Sequence, residues 1–142
     1  MPRLAPLACL VILVMAASAP AEAPATPAPS SPIRPKIGAL TPVELDATLK
    51  GGTWLIVEFG GEFCIPCARM QPVLQDLQAA LGAKAKIHNF WIQQHPDVAA
   101  RFKIMVMPTQ IVFKPGGEEL FRHMGYLPPE EFHAALHEKG LL

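Results

Sequence analysis

The sequence has few cysteines and no net charge, and each of these features excludes some classes of protein. Its three cysteines, Cys9, Cys64 and Cys67, are too few for a framework of disulfides. They are also too few for a cysteine-rich zinc site unless histidines supply the other ligands. The 12 Lys and Arg residues balance 12 Asp and Glu residues without forming a basic stripe. Nucleic acids and anionic membrane surfaces are therefore not expected as partners.

The first 19 residues have the three parts of a secretory signal peptide. Arg3 is the charged head, residues 4–17 form an apolar body shorter than a membrane span, and Ala17–Ser18–Ala19 is the small-residue end. Cleavage of this segment and its retention as an N-terminal anchor both remain open. In either case we expect the protein to be exported, to the periplasm or another extracytoplasmic compartment.

A linker and one folded domain are predicted after this segment. Residues 20–36 are mostly Pro, Ala, Ser and Thr, which lack the apolar side chains to fold alone and predict an extended linker. The chain as a whole is 51% apolar, so the remainder can form a core. We therefore predict a single domain over residues 37–142.

Apolar periodicity and turn signals predict an α/β domain with the element order αβαβαββα, closing with an antiparallel hairpin and a helix. Thr41 and Glu44 have the spacing of a capping box at the first helix, with Pro42 in its first turn. The predicted elements are a helix ending at Gly51, a strand at Trp54–Phe59, a helix ending near Gly82, a strand at Lys86–Ile92, a short helix at His95, strands at Thr109–Phe113 and Glu118–Gly125, and a helix at Pro128–Lys139.

The centre of this pattern is a pair of cysteines at the start of the second helix. The preceding strand ends in Gly60 and Gly61, which we expect to let the chain change direction sharply. Cys64 then lies at a helix N-terminus, where unpaired N–H groups and the helix dipole favour a thiolate. Cys67, one turn later, can attack a mixed disulfide formed at Cys64. The alternatives are an inert disulfide or half of a zinc site.

Glu58 is the second candidate for chemistry, because it places a carboxyl group inside an apolar strand. A buried carboxyl group has a raised pKa, which suits proton exchange with a nearby thiol. Strand alternation also allows Glu58 to face solvent, so both interpretations stay open. His133 and His137 have a spacing that can bind a metal, but no third ligand is near them in the sequence. A solvated helix surface is the better interpretation, and no metal site is predicted.

Together these motifs resemble the thioredoxin family from about Thr41 to Leu136. The stretch VEFGGEFCIPCARMQPVL is similar to the family's active-site segment, with Pro72 where the family kinks its helix, and MPTQIVF is similar to its cis-proline segment. The resemblance implies a thioredoxin fold, with a central mixed β-sheet flanked by helices in a single domain. It implies a cis Met107–Pro108 bond, although X–Pro bonds in general are far more often trans. It also places Gly125 where the family has a glycine close to the catalytic pair.

The resemblance assigns roles to individual residues as well. Cys64 and Cys67 are implied to be the redox pair, with their disulfide as the only cofactor. Glu58 takes the position of the family's buried aspartate, and Asn89 stands where the family has a lysine. The residues implied to bind substrate are Ile65, Pro66, Met107, Pro108 and Thr109.

Export combined with such a domain resembles the bacterial envelope thiol reductases. Those proteins keep substrate cysteines reduced, for instance during cytochrome c maturation, and take electrons from a transmembrane reductant carrier. We therefore expect a monomeric enzyme that reduces protein disulfides. Gly60, Phe63 and Ile65 depart from the thioredoxin pattern, which leaves the direction of the reaction open. The alternatives are an oxidase or isomerase of secreted proteins, and a non-enzymatic metal- or partner-binding module with the same fold.

Overall fold

The structure is a computed structural model and describes residues 36–142. The predicted signal peptide or anchor, Cys9 and nearly all of the predicted linker lie outside the described residues. The element order αβαβαββα is confirmed, with one short 3₁₀ turn at Gly82–Lys84 that the sequence did not predict. The elements are α1 Pro42–Leu49, β1 Trp54–Gly60, α2 Ile65–Leu81, β2 Ala85–Trp91, α3 Pro96–Arg101, β3 Thr109–Phe113, β4 Glu119–Met124 and α4 Pro129–Glu138.

The four strands form one mixed sheet in the order β2-β1-β3-β4. Strand β1 pairs parallel with β2 and antiparallel with β3, and β4 completes an antiparallel hairpin with β3. The central position of β1 explains its continuous apolar sequence, because both of its faces and both of its edges are covered. The predicted thioredoxin fold with a mixed sheet is confirmed.

The two faces of the sheet carry separate hydrophobic cores. One core packs β-strand side chains against α2 and α4, and it includes Ile56, Met70, Leu74, Val112 and Phe132. The other packs the opposite face against α1 and α3. Its buried members are Leu45, Leu55, Val57, Phe59, Phe90, Val98, Ile111 and Phe113. Alternate residues of β1 therefore point to opposite cores, which puts Glu58 on the same face as Ile56 and beneath α2.

Local signals begin the first helix and cover one edge of the sheet. The predicted capping box is present, since the Glu44 N–H donates to Thr41 Oγ1 and the Glu44 carboxylate accepts from the Thr41 N–H. Before it, residues 38–40 run beside β2. The Leu40 N–H donates to the Asn89 carbonyl, and the Asn89 N–H donates to the Gly38 carbonyl, each at 2.9 Å. Over residues 36–142, none of the helices has the length and apolar content needed to span a bilayer.

Candidate active site

Cys64 and Cys67 form a disulfide at the first turn of α2. The S–S distance is 2.05 Å and the Cα–Cα distance is 5.2 Å. Cys64 is the N-cap residue, and its Sγ accepts a hydrogen bond of 3.3 Å from the Cys67 N–H. In the reduced protein the same N–H groups and the positive end of the helix dipole favour a thiolate at Cys64. The predicted location of the pair at a helix N-terminus is confirmed.

The two sulfur-bearing residues differ in access to solvent. Cys67 is 2% exposed, whereas Cys64 is partly exposed. The side chains around Cys64 are also open to solvent, with Phe63 93% and Ile65 79% exposed and Pro66 exposed beside them. A disulfide of another protein can therefore approach Cys64 but cannot approach Cys67 directly. This asymmetry divides the two thiols into one for attack and one for resolution.

Glu58 is completely buried beneath α2, which rules out the interpretation that it faces solvent. Neither of its carboxyl oxygens has a hydrogen-bond partner among the described residues. Burial raises the pKa of Glu58 from 4.5 to about 8, because the apolar surroundings disfavour the charged form. The carboxyl group is therefore protonated at neutral pH and able to exchange its proton near the pH at which thiols ionise.

Gly60 links Glu58 to the cysteine pair, and its role differs from the one the sequence suggested. The chain does turn directly after Gly60, where the Cys64 N–H donates to the Gly61 carbonyl, but neither glycine has the positive φ that only glycine adopts easily. A Cβ atom on Gly60 would lie 2.9 Å from Cys67 Sγ and 3.3 Å from Glu58 Oε1. Glycine is therefore needed here for close approach, since any side chain would occupy the space between the resolving sulfur and the carboxyl group.

The Met107–Pro108 peptide bond is cis, as the resemblance implied. Thr109, the next residue, pairs with Phe59 in the β1–β3 ladder. Because the ladder is antiparallel, the residues before Thr109 lie beside the Gly60 end of β1, the end that leads to Cys64. The Thr109 hydroxyl donates to the Val106 carbonyl at 2.7 Å and fixes the loop that contains the proline.

Gly125 follows β4 and closes the other side of this loop. Its N–H donates to the Pro108 carbonyl at 2.7 Å, and its φ of 94° lies in the region that favours glycine. No atom beyond its chain neighbours lies within 4 Å of the position that a Cβ would take. The glycine is thus required by the backbone conformation, and the space beside it is open.

The segment after Gly125 is held against α2 by two contacts. The Arg69 guanidinium lies over the Tyr126 ring, with its carbon 4.6 Å from the ring centroid. The Leu127 N–H donates to Met70 Sδ at 3.4 Å. The active-site helix and the loop that contacts Pro108 are therefore one connected unit.

Two buried amides lie next to Glu58 in the sheet. Asn89 is its partner in β2, and Gln110 is its partner in β3. Asn89 exchanges hydrogen bonds with Gln71 and donates to the Ile37 carbonyl at 2.8 Å, so it is satisfied without Glu58. Gln110 was missed in the sequence analysis. The feature that could have indicated it is an amide side chain inside the apolar run TQIVF, a strand that pairs with the strand carrying Glu58.

One surface cavity lies away from the cysteines. It has a volume of about 490 Å³ and lies between α3 and β4. Its lining residues are Arg101, Phe102, Lys103, Glu119, Arg122 and Met124. The reacting sulfur is instead on an open surface, which suits a macromolecular substrate better than a small molecule enclosed by a pocket.

The structure does not bring a metal site together from the described residues. Within residues 36–142, no three His, Cys, Asp or Glu side chains are grouped closely enough to hold an ion. His133 is partly exposed and His137 is exposed on α4, and the described residues supply no third ligand beside them.

Sequence comparison with known proteins finds similarity to the same family that the sequence motifs resemble. The sequence model of the thioredoxin family matches residues 36–138. Thioredoxin from Alicyclobacillus acidocaldarius is 32% identical over 97 residues, which cover 68% of this chain and 91% of that protein. Thioredoxin from Staphylococcus aureus is 33% identical over 97 residues, with the same coverage of 68% and 91%.

Solved structures give the same result for the fold. Oxidized mitochondrial thioredoxin 3 from Saccharomyces cerevisiae superposes with a TM-score of 0.63 at 25% identity, covering 72% of this chain and 94% of that one. Chloroplastic thioredoxin z superposes with a TM-score of 0.64 at 22% identity, over 72% and 93% of the two chains, and supports the fold alone.

The family match covers more than half of the chain, and the intact cysteine pair is what its chemistry requires. The interpretation as an enzyme is therefore favoured over the interpretation as a non-enzymatic module with the same fold. The chain belongs to the thioredoxin family and is a thiol–disulfide oxidoreductase of the thioredoxin type, with the Cys64–Cys67 disulfide as its redox centre.

Proposed function

We propose that this protein is an exported reductant of protein disulfides. The observation that carries the proposal is the difference in exposure between Cys64 and Cys67, which gives one sulfur to the substrate and keeps the other for resolution. Export rests on the signal-peptide features of residues 1–19.

The reaction begins with the reduced enzyme. The Cys64 thiolate attacks one sulfur of a substrate disulfide, forming a Cys64–substrate mixed disulfide and releasing the other substrate sulfur as a thiolate. Cys67 then loses its proton and attacks Cys64 Sγ. The mixed disulfide breaks, the second substrate sulfur leaves as a thiolate, and the Cys64–Cys67 disulfide forms. Two electrons pass from the enzyme's dithiol to the substrate.

Glu58 is the proton acceptor for the second step. Glu58 must first lose its own proton, which only a minority of molecules have done at neutral pH. The resulting carboxylate takes the Cys67 proton as Cys67 attacks, and the neutral carboxyl group later releases that proton to solvent. Its position beside Gly60, next to Cys67 Sγ, supports this role. Its pKa of about 8 supports it as well, because proton exchange is most efficient when the pKa lies near the working pH.

The substrate chain docks on the open surface around Cys64. Ile65 and Pro66 present an exposed apolar face on one side of the disulfide, and Met107 is partly exposed on the loop that carries Pro108. Met107 offers the substrate backbone a partner next to the sheet. Pro108 and Thr109 are buried behind it, and Thr109 is already paired with both β1 and β4, so these two residues support the docking surface without facing the substrate. The open space beside Gly125 is consistent with a substrate segment passing there.

The connections between elements favour a reductant over an oxidase or isomerase. The secreted oxidases of this superfamily have a large helical insertion after the active-site helix. Here α2 leads to β2 through the three-residue turn Gly82–Lys84, and the connection from β2 to β3 contains the six-residue helix α3. We further propose that a transmembrane reductant carrier returns the enzyme to its dithiol form, that the enzyme acts as a monomer, and that apocytochrome c is one candidate substrate.

The reduction potential of the Cys64–Cys67 pair tests the direction of the reaction. The protein is equilibrated in dithiothreitol or glutathione buffers, and the dithiol fraction is measured by thiol alkylation. A value near −270 mV is expected for a reductant, and a value near −120 mV, typical of the strongest oxidant of the superfamily, contradicts the proposal. Cell fractionation and the mass of the mature protein test export: a protein found only in the cytoplasm would overturn that part.

A further inference from the structure

Gln110 and Glu58 are neighbouring buried side chains whose polar atoms have no hydrogen-bond partner among the described residues. They are direct partners in the antiparallel β1–β3 ladder, and both are 0% exposed. Side chains directly opposite in such a ladder point to the same face, with Cβ atoms about 4.5–5.5 Å apart. Neither the amide atoms of Gln110 nor the carboxyl oxygens of Glu58 have a hydrogen-bond partner among the described residues. Buried polar groups without partners are rare and costly.

The other neighbours of Glu58 are already engaged or are the reacting group itself. In β2, the Asn89 amide donates to the Ile37 carbonyl and to Gln71 Oε1, and its Oδ1 accepts from Gln71. From α2, the titratable group beside Glu58 is Cys67, which shares with it the space at Gly60. Among the described neighbours in the sheet, Gln110 is therefore the side chain with a free donor and a free acceptor facing Glu58.

We infer that Gln110 is a positioning residue for Glu58 and holds its carboxyl group through both halves of the proton transfer from Cys67. The inference rests on the proposed role of Glu58. An amide suits the task because it carries an acceptor and a donor on one rotatable group. In the disulfide form the two side chains are not hydrogen-bonded to each other. In the reduced protein, rotation of the Gln110 side chain lets Oε1 accept from the protonated carboxyl group, and rotation of the amide lets Nε2 donate to the carboxylate. The proton itself moves from Cys67 Sγ to Glu58 and then to solvent.

The two hydrogen bonds are not equally strong, and the difference sets the direction of the effect. A hydrogen bond to an ionised carboxylate is roughly twice as strong as one between neutral groups. Gln110 therefore favours the charged form of Glu58 and opposes the effect of burial, which raises the pKa. Without the amide, the proton would be released at a higher pH.

The test replaces Gln110 with methionine, which keeps an unbranched side chain of similar length without strong donors or acceptors. We expect the pKa of Glu58, followed by the ¹³C carboxyl resonance in the reduced full-length protein, to rise by about one pH unit in Gln110→Met. The pH dependence of mixed-disulfide resolution is expected to shift upward by the same amount. In a Glu58→Gln background, Gln110→Met is expected to leave the pH dependence of resolution unchanged.

The outcomes separate this inference from the proposed function. An unchanged Glu58 pKa in folded Gln110→Met would overturn the inference, whatever the enzyme's activity. A raised pKa with an unchanged pH dependence of resolution would support the inference and contradict the proposed role of Glu58. Gln110→Leu serves as a second variant of different shape. A shift in the methionine variant alone would mark a packing effect and overturn the inference.

Discussion

Glu58 and Cys67 meet at the backbone of Gly60, with no side chain between them. The position of a Cβ on Gly60 is 3.3 Å from Glu58 Oε1 and 2.9 Å from Cys67 Sγ. The carboxyl group is buried without a partner among the described residues, and the sulfur belongs to the buried member of the redox pair. The two groups that the proposed proton transfer joins are therefore neighbours at Gly60, and the following outcomes test that relationship.

Replacing Cys67 with serine is expected to trap substrates. The Cys64 thiolate still attacks, but no second thiol can resolve the mixed disulfide, so covalent complexes accumulate. Non-reducing gels and mass spectrometry of the exported fraction measure them. Cys64→Ser is the matched control and should trap almost nothing, because Cys67 is 2% exposed. Equal trapping by the two variants would contradict the assignment of the attacking sulfur.

Replacing Glu58 with glutamine is expected to flatten the dependence of stability on pH. The pKa of Glu58 is about 8 in the folded protein and near 4.5 when exposed, so between these values the folded chain holds a proton that the unfolded chain has released. The contribution of this group to the free energy of unfolding therefore falls by about 1.4 kcal/mol per pH unit as pH rises from 4.5 to 8. It is fully present below pH 4.5. Urea unfolding at several pH values measures this contribution. Parallel curves of stability against pH for the parent and the variant would contradict the raised pKa of Glu58.

Replacing Gly60 with alanine is expected to destabilise the protein by about 1–3 kcal/mol, because the new methyl group overlaps Cys67 Sγ and crowds Glu58 Oε1. The same change should slow resolution of the mixed disulfide. Gly52→Ala is the matched control, since nothing lies within 4 Å of the Cβ position there. Denaturant unfolding and single-turnover resolution rates measure the two effects. A Gly60→Ala variant as stable and fast as Gly52→Ala would show that close approach is not required.

Replacing Gly125 with alanine separates backbone strain from function. Gly125 and Gly116 have φ values of 94° and 90°, and both have open space where a Cβ would lie. Each alanine variant is expected to lose about 1–2 kcal/mol of stability. We expect only Gly125→Ala to reduce the rate of disulfide reduction as well, because a shift of the strained backbone there would displace the N–H that donates to the Pro108 carbonyl. Equal activity of the two variants would remove Gly125 from the site.

Replacing Phe63 with alanine is expected to weaken substrate binding without loss of stability. Phe63 is 93% exposed next to Cys64, so its ring contributes to contacts with another chain and not to the core. We expect KM for a protein disulfide to rise about five- to tenfold, with the free energy of unfolding changed by less than about 0.5 kcal/mol. Val43→Ala on α1, where the side chain is 78% exposed, is the control and should leave KM unchanged. An unaltered KM in Phe63→Ala would place substrate docking elsewhere.

Local sequence signals predicted most of the fold because they act within a few residues. Helix and strand periodicity gave the element order, and the Thr41 capping box and the CxxC at the start of α2 needed no long-range information. The cis Met107–Pro108 bond was a different case. Its own sequence favoured trans, and the prediction came from the family resemblance.

The site itself depends on contacts that join distant parts of the chain. The burial of Glu58 follows from α2 covering one face of β1, which alternation within the strand cannot reveal. The close approach at Gly60 was not predicted for the same reason, because the need for glycine there comes from Cys67 on the next element. Gln110 was overlooked since its pairing with Glu58 is set by the antiparallel register of β1 and β3.

The segment Gly38–Leu40 has a consequence for how these molecules behave at high concentration. By pairing with Asn89, it covers the outer edge of β2 at that residue and hinders strand addition there. Within residues 36–142, β4 is the other edge of the sheet. This edge carries the Glu119–Arg122 ion pair, and the register of its ladder shifts between Val112 and Phe113. Charged side chains and irregular registers oppose edge-to-edge association, so the β4 edge of the folded domain is a poor template for strand addition by a second copy.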